Sequence, residues 1–132
     1  MPAGYSGTPL YRKLGVRPGS TLSARHAPAH YKSLLEGLPE DVKWVKGKAD
    51  LVHFFVQQRE VLEAALPSLM ADIPKNGTIW ISWPKKSSGV ATDVTEDVIR
   101  AAALALGLVD VKVCAVDEVW SGLKLVYRLA NR

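Results

Sequence analysis

The chain has 132 residues, the length of one domain, and its 48% hydrophobic and 23% charged residues exclude a disordered or collagen-like chain. The net charge of +4 comes from Lys and Arg scattered over residues 1–60, and without a dense basic block we expect no nucleic-acid partner. One cysteine, Cys114, excludes an internal disulfide and a cysteine-based metal site. With no basic-then-apolar leader and no apolar run near the roughly 18 residues of a membrane span, we expect a cytoplasmic protein without a membrane partner.

The first half of the chain predicts two short helices and two strands. Residues 1–7 are small and polar, and we expect them to form a loosely held arm. Thr8 and Pro9 suit the start of a helix, because threonine caps free amide groups and proline fits the first turn, and Gly15 suits its end. A strand over residues 21–25, a helix over 29–35 and a strand over 42–45 follow.

The second half alternates strands and helices more clearly. Residues 50–56 form a nearly continuous apolar run, which is typical of a strand buried on both faces. The helical pattern over 60–71 contains Pro67, so we expect a kink or break near Leu66. The remaining elements are a strand over 78–83, a helix from Asp93 or Thr95 to about Leu106, and strands over 108–116 and 123–129 joined by a tight connection.

This order of elements predicts the fold class. Strands that alternate with helices indicate a three-layer α/β fold, with a mostly parallel sheet of about six strands ending in an antiparallel hairpin. The crossovers between parallel strands should be right-handed. No internal repeat or low-complexity tract divides the chain, and we expect residues 1–132 to form a single domain.

From Asp50 onward, the order of elements resembles the second half of a class I S-adenosylmethionine (SAM)-dependent methyltransferase. The apolar strand, a helix, a proline–glycine turn over 74–77 and a hydrophobic strand follow that family's order, and a helix and an antiparallel hairpin close the chain. The resemblance implies a Rossmann-like, methyltransferase-like fold with one strand–helix unit fewer than those enzymes have.

Two features of that family are missing from the sequence. Its glycine-rich turn after the first strand lets the backbone approach the cofactor, whereas residues 23–30 contain no glycine. Lys46, Gly47 and Lys48 stand where an acidic residue would hold the ribose. We therefore predict no cofactor, and in particular no SAM bound in the usual mode.

A closer resemblance is to a bacterial family of uncharacterised proteins, the domain-of-unknown-function family 3052. Four stretches carry it, and they are residues 4–10 (GYSGTPL), 13–19 (KLGVRPG), 83–93 (WPKKSSGVATD) and 113–124 (VCAVDEVWSGLK). The likeness runs from about Gly4 to Arg132. It implies a compact α/β domain and no particular activity.

Ligands of open α/β sheets bind outside the carboxyl ends of the parallel strands, where several polar segments of this chain are expected to meet. His26 follows the first strand, and residues 84–92 follow the strand over 78–83. Residues 117–121 leave the same edge if the strand over 108–116 is parallel to the others. The candidate ligand-binding residues are His26, Trp83, Lys85, Lys86, Ser87, Ser88, Thr92, Asp93, Asp117, Glu118, Trp120, Ser121 and Lys124.

An anionic small molecule is one ligand that these residues could take. The loop residues Lys85, Lys86, Ser87 and Ser88 could bind it with help from helix amide groups near Thr95, although the spacing of a phosphate loop is absent. A solvated loop whose lysines pair with acidic residues of the 117–121 segment explains the same pattern equally well.

Other patterns favour structural roles. Asp117 and Glu118 are adjacent, so their carboxylates should point to opposite sides and not act together. Trp83 and Trp120 could form an aromatic wall for a flat ligand, but aromatic residues at strand ends are more often core. His53 and Cys114 are expected to be buried core residues. His26 and His30 have the spacing of a metal pair, but Pro28 breaks the helix between them, so we predict no metal site.

Three functions remain open at this point, and the sequence does not decide whether the chain is an enzyme, although it favours a binding domain. The first is a degenerate methyltransferase-like domain that binds a ligand or a partner without SAM-dependent catalysis. The second is a small enzyme acting on an anionic small molecule at the carboxyl edge. The third is a protein-interaction module that forms a homodimer through an exposed sheet edge.

Overall fold

A six-stranded sheet with helices on both faces organises the protein. The structure, a computed structural model, describes residues 7–132, so the arm expected over residues 1–7 lies outside them except for Gly7. The strands are β1 (Thr21–Arg25), β2 (Lys43–Trp44), β3 (Leu51–Phe55), β4 (Thr78–Pro84), β5 (Leu108–Ala115) and β6 (Trp120–Tyr127). The α-helices are α1 (Leu10–Leu14), α2 (Tyr31–Leu34), α3 (Arg59–Ala71) and α4 (Glu96–Ala105).

The strand order across the sheet is β2-β1-β3-β4-β6-β5. The pairs β1–β2, β1–β3 and β3–β4 are parallel, whereas β6 is antiparallel to both β4 and β5. Because β6 reverses direction between them, β5 runs the same way as β4. The predicted α/β fold, with a mostly parallel sheet that ends in an antiparallel hairpin, is confirmed.

The two faces of the sheet carry separate apolar cores. One face packs against α3 and α4 through side chains that include Leu62, Leu66 and Ile99. The other packs against α1 and α2 through Leu14 and Tyr31. Burial on both faces explains the apolar run in β3, since alternate residues of a strand enter opposite cores and all five of this one are buried.

Helix α3 continues through Pro67, where a kink or break was expected. Proline at this position removes one backbone hydrogen bond within the helix. However, Leu66 and Leu69 are both buried in the core, one on each side of Pro67. Each fully buried leucine contributes about 1.5–3 kcal/mol, so packing of this face compensates for the missing hydrogen bond.

The closing hairpin differs from the prediction, because β6 begins at Trp120 and not at residue 123. One Asp117 carboxylate oxygen accepts hydrogen bonds from the backbone N–H groups of Val119 and Trp120, at 2.8 and 2.7 Å. This side chain closes the turn within four residues, so pairing with β4 starts as early as Trp120 opposite Pro84.

Smaller differences lie at the edge of the sheet and at helix ends. Strand β2 has only two residues, both exposed, and α2 spans four residues. No side chain of residues 7–132 caps α1, although Gly15 ends this helix with the predicted left-handed backbone. Within residues 7–132, no helix is long and apolar enough to cross a membrane.

Candidate functional site

The carboxyl ends of β1, β3, β4 and β5 all open onto one edge of the sheet. His26 follows β1, Gln57 and Gln58 follow β3, Lys85 follows β4, and Asp117 follows β5. The expected convergence of these segments on one side of the sheet therefore holds. The connections that leave β1 and β3 at this edge run to opposite sides of the sheet. β1 leads to β2 on one side, and β3 leads to β4 on the other.

A cleft of about 450 Å³, here called the carboxyl-edge cleft, opens between the ends of β1 and β3 and the start of β6. Its lining residues are His26, Pro28, Phe55, Val56, Gln57, Gln58, Val61 and Trp120. The rings of Phe55 and Trp120 meet edge to face, with centroids 5.0 Å apart. The cleft thus combines aromatic surface with two exposed amide side chains, and none of its lining residues within 7–132 is Lys, Arg, Asp or Glu.

His26 marks the turn after β1. Its φ of 57° lies in the left-handed region, where glycine is the usual residue, and it is the one described non-glycine residue with positive φ. Its ring packs against Phe54, with centroids 5.1 Å apart. The turn after β1 therefore contains a histidine, whereas the resemblance to methyltransferases had suggested glycine there.

A buried chain of polar side chains lies beneath the cleft. His53 Nδ1 is 2.8 Å from the Tyr31 hydroxyl, and His53 Nε2 is 2.7 Å from the Ser82 hydroxyl. All three side chains are buried, and the His53 ring stacks on Phe55 at 4.3 Å between centroids. Burial lowers the pKa of His53 to about 3, so the ring is neutral near pH 7. The expectation of a core histidine with satisfied hydrogen bonds is confirmed.

Asp117 is held by groups from two parts of the chain. Besides the turn bonds, its second carboxylate oxygen lies 2.9 Å from His30 Nε2. Burial raises the pKa of Asp117, but hydrogen bonds from the Trp120 backbone, the His30 ring and the Val119 backbone outweigh it and leave the pKa below its usual value. The carboxylate therefore fixes the turn that places Trp120 at the cleft.

We expect Asp117→Ala to lower the free energy of unfolding by about 1–3 kcal/mol, because two backbone N–H groups lose their acceptor. The matched control is Glu118→Ala, since Glu118 is adjacent, exposed and outside these bonds, and should change stability by less than about 0.5 kcal/mol. Urea denaturation measures both variants. Equal losses in the two would contradict the assigned role of Asp117.

Hydrogen bonds of its own side chains hold the loop after β4 in place. Residues Lys86–Ser88 form a short 3-10 turn in which the Ser88 hydroxyl donates to the Lys85 carbonyl at 2.6 Å. Thr92 donates to the Gln57 carbonyl at 2.5 Å, and Asp93 accepts from the Arg59 backbone N–H. Ser88 thus holds the loop internally, whereas Thr92 and Asp93 tie it to the segment between β3 and α3.

The predicted anion site at the start of α4 has acidic neighbours. The Thr95 hydroxyl accepts from the Val98 N–H at 3.2 Å and caps the helix as expected. Glu96 and Asp97 lie in the first turn and pair with Arg100. Two carboxylates at this position oppose an incoming anion. Lys86 and Thr92 instead line a separate cleft of about 420 Å³ that also includes Trp83.

The structure does not bring all the candidate residues together. Trp83 packs in the core beneath α3 and α4, whereas Trp120 packs on the opposite face, so the two rings form no common wall. Within residues 7–132, neither Lys85 nor Lys86 forms an ion pair with Asp117 or Glu118. Ser121 lies within β6 opposite Trp83.

Lys124 lies away from the carboxyl edge. It stands inside β6 opposite Trp80 and lines a different cleft, at the amino end of the strands. The early start of β6 explains the difference, because the sequence prediction had placed Lys124 only one residue into that strand.

Several cleft residues had been missed by the sequence prediction. Phe55 was counted only as part of an apolar strand, and Gln57 and Gln58 were not considered, although they follow the carboxyl end of that strand. The pairing of His30 with Asp117 joins positions 87 residues apart and leaves no local pattern. Among the described residues, no group of three His, Cys, Asp or Glu side chains could hold a metal ion.

No family model matches the chain, and no curated protein matches it in sequence. Solved structures do match its fold. Ribosomal protein L11 methylase from Lactobacillus delbrueckii subsp. bulgaricus gives a TM-score of 0.55 at 15% identity, over 89% of this chain and 74% of that one. Magnesium protoporphyrin IX methyltransferase from Synechocystis PCC 6803 with bound SAH gives 0.61 at 12% identity, over 90% and 79%. DhpI in complex with SAH gives 0.58 at 13%, over 92% and 83%.

These matches show that the chain has a methyltransferase-like Rossmann fold. They also correct the prediction that excluded SAM, which was wrong because it relied only on the missing glycines and the missing acidic residue. Structures with this fold hold SAH or SAM, so the architecture is compatible with that cofactor. In this chain, the turn after β1 places His26 in the left-handed backbone region.

Proposed function

We propose that this chain is a methyltransferase-like ligand-binding domain that takes SAM, SAH or a related adenosyl compound into the carboxyl-edge cleft. The observation that carries the proposal is the position of the cleft between the ends of β1 and β3. In open α/β sheets, ligands bind where successive connections leave a strand pair in opposite directions, and this pair is that point.

The size and lining of the cleft fit an adenosyl ligand. Its volume of about 450 Å³ falls within the range of roughly 300–1,000 Å³ that small-molecule sites occupy. Phe55 and Trp120 offer aromatic surface against which a flat base can pack. Gln57 and Gln58 each supply a hydrogen-bond donor and an acceptor for the base or the ribose hydroxyls.

The absence of charged residues from the lining favours a ligand without phosphate groups. When bound, SAM supplies an electrophilic methyl group on a positively charged sulfur, and an aromatic face attracts such a cation. The lysines first considered as anion ligands, Lys85 and Lys86, are not among the lining residues. An adenosyl compound without phosphate groups therefore suits this cleft better than an anionic small molecule does.

We propose, on the sequence resemblance alone, that the chain is a member of family 3052. Residues 113–124, one of the two long stretches that carry that resemblance, include Asp117 and Trp120. The first fixes the turn and the second lines the cleft. The resemblance therefore includes residues that build the candidate site.

Isothermal titration calorimetry with SAM and SAH tests the proposal. We expect both compounds to bind the wild-type chain, and we expect Trp120→Ala and Gln58→Ala to weaken binding, the former by at least about tenfold. Trp44→Ala is the matched control, because Trp44 is an exposed tryptophan on β2 outside the cleft lining, and it should leave the affinity unchanged.

Circular dichroism establishes that each variant is folded before its affinity is compared. Absence of binding of both SAM and SAH to the folded wild-type chain would refute the proposal. So would binding that Trp44→Ala weakens as much as Trp120→Ala does, since the ligand would then lie elsewhere.

A further inference from the structure

A second cleft, of about 410 Å³, lies at the opposite edge of the sheet, where the parallel strands begin. We call it the amino-edge cleft. Its lining residues are Gly15, Arg17, Pro18, Gly19, Ser20, Asp50, Leu51, Asn76, Gly77, Thr78 and Lys124. The segment after α1, the starts of β3 and β4, and the middle of β6 all contribute to it, so the site combines distant parts of the chain.

Positively charged side chains are concentrated at this cleft. Arg17 and Lys124 line it, and Lys112 on β5 stands directly opposite Lys124 on β6. Among residues 7–132, no carboxylate forms an ion pair with any of these three cations.

The carboxylate that lines the cleft belongs to Asp50 and is held on other groups. One of its oxygens accepts from the Thr21 backbone N–H at 3.0 Å and from the Thr21 hydroxyl at 3.2 Å. A second carboxylate oxygen, from Asp41, lies 3.7 Å from the position that a Cβ on Gly19 would occupy. The three cations outnumber these two acidic groups, which leaves the edge positive.

The excess of positive charge affects Lys124 directly. Its side chain is half-buried, and its ammonium group approaches the end of α1, 3.6 Å from the position that a Cβ on Gly15 would occupy. Burial lowers the pKa of Lys124, and repulsion from Lys112 and Arg17 lowers it further. A bound anion would relieve this repulsion, because partly buried cations are normally paired.

We infer that the amino-edge cleft binds a small molecule bearing a phosphate group, with Arg17 and Lys124 as its cationic ligands. Arginine presents a planar fork that matches phosphate oxygens, and lysine acts as a compact point charge. Asn76 and Thr78 add an amide and a hydroxyl to the lining. The cleft is distinct from the carboxyl-edge cleft, so this site would serve a second ligand.

Titration with inorganic phosphate and pyrophosphate at low ionic strength tests the inference, with binding followed by NMR chemical-shift changes. We expect Lys124→Met, which keeps the aliphatic stem, to weaken binding by at least about tenfold. Lys124→Arg should retain it, because the positive charge remains. Lys86→Met is the matched control, since Lys86 is an exposed lysine near the other edge and should have no effect.

A separate readout follows the charge of Lys124 itself. Its pKa, measured from the side-chain carbon shifts, should rise when phosphate is added, since a bound anion stabilises the protonated amine. SAH affinity should be unchanged in Lys124→Met, so failure at one edge is distinguishable from failure at the other.

Three results would overturn the inference. One is the absence of phosphate and pyrophosphate binding at millimolar concentration. Another is an equal loss of affinity in Lys86→Met and Lys124→Met, which would indicate diffuse attraction to a positive surface. The last is normal binding by a folded Lys124→Met chain, with circular dichroism as the check on folding.

Discussion

Acidification is expected to destabilise the folded chain through His53 as the pH falls from about 6.5 toward 3. In the unfolded chain this imidazole takes up a proton near its ordinary pKa of 6.5, whereas burial lowers its folded pKa to about 3. Its contribution to stability is therefore fully present above 6.5 and is lost as the pH falls through the folded pKa. Each unit of separation is worth about 1.4 kcal/mol, so the loss amounts to several kcal/mol.

Urea denaturation at a series of pH values measures this effect, and two variants isolate it. His53→Gln retains a donor and an acceptor for Tyr31 and Ser82 but does not titrate, so the slope of stability against pH should fall by about one proton between pH 6.5 and 5. Ile79→Val is the control, because it removes one methylene group from the core and keeps the His53 imidazole, so it should lower the free energy of unfolding and retain the wild-type slope. A wild-type slope that His53→Gln leaves unchanged would contradict the assignment.

Replacing Trp80 by alanine is expected to lower the free energy of unfolding by about 3–5 kcal/mol. Trp80 is fully buried at the centre of the sheet, and its indole N–H donates to the Leu14 carbonyl at 2.8 Å, which ties α1 to the sheet. Gly122 lies so close that a Cβ there would be 3.0 Å from the Trp80 ring. The ring therefore fills its space fully, and its removal leaves both a cavity and an unpaired carbonyl.

Trp44→Ala is again the control, because Trp44 is exposed on the edge strand. This substitution should lower the free energy of unfolding by less than about 1 kcal/mol. Gly122→Val tests the same contact, because the added side chain would overpack against the Trp80 ring. It should lower the free energy of unfolding by about 1–3 kcal/mol. Thermal and urea unfolding report all three variants. A loss below about 1 kcal/mol in Trp80→Ala would show that the ring is not the packing centre that the structure indicates.

Most of the fold could be predicted from local pattern. Strand β1 matches its predicted bounds, and the five residues of β3 lie within the predicted apolar run, which only a strand covered on both faces would carry. Thr95 and Gly107 mark the ends of α4 because capping and the left-handed backbone are properties of single residues. The behaviour of Pro67 could not be predicted, since it depends on how firmly the neighbouring leucines pack.

The candidate site was less accessible to sequence reasoning. The turn that starts β6 contains neither glycine nor proline and depends on the side chain of Asp117. Its early closure decides that Trp120 lies at the carboxyl-edge cleft and that Lys124 lies near the other end of the strands. Pairing register, which no single segment encodes, also decides that Trp83 and Trp120 face opposite cores.

The location of a bound adenosyl compound is the most direct test of this account. An NMR titration of the labelled chain with SAH reports it residue by residue. We predict that the largest shifts fall on the amide groups of Gln57 and Gln58 and on the Trp120 indole, while Arg17 and Lys124 at the amino edge do not respond. No response at any concentration, or shifts centred on the amino-edge cleft, would contradict the assignment of the carboxyl-edge cleft as the adenosyl site.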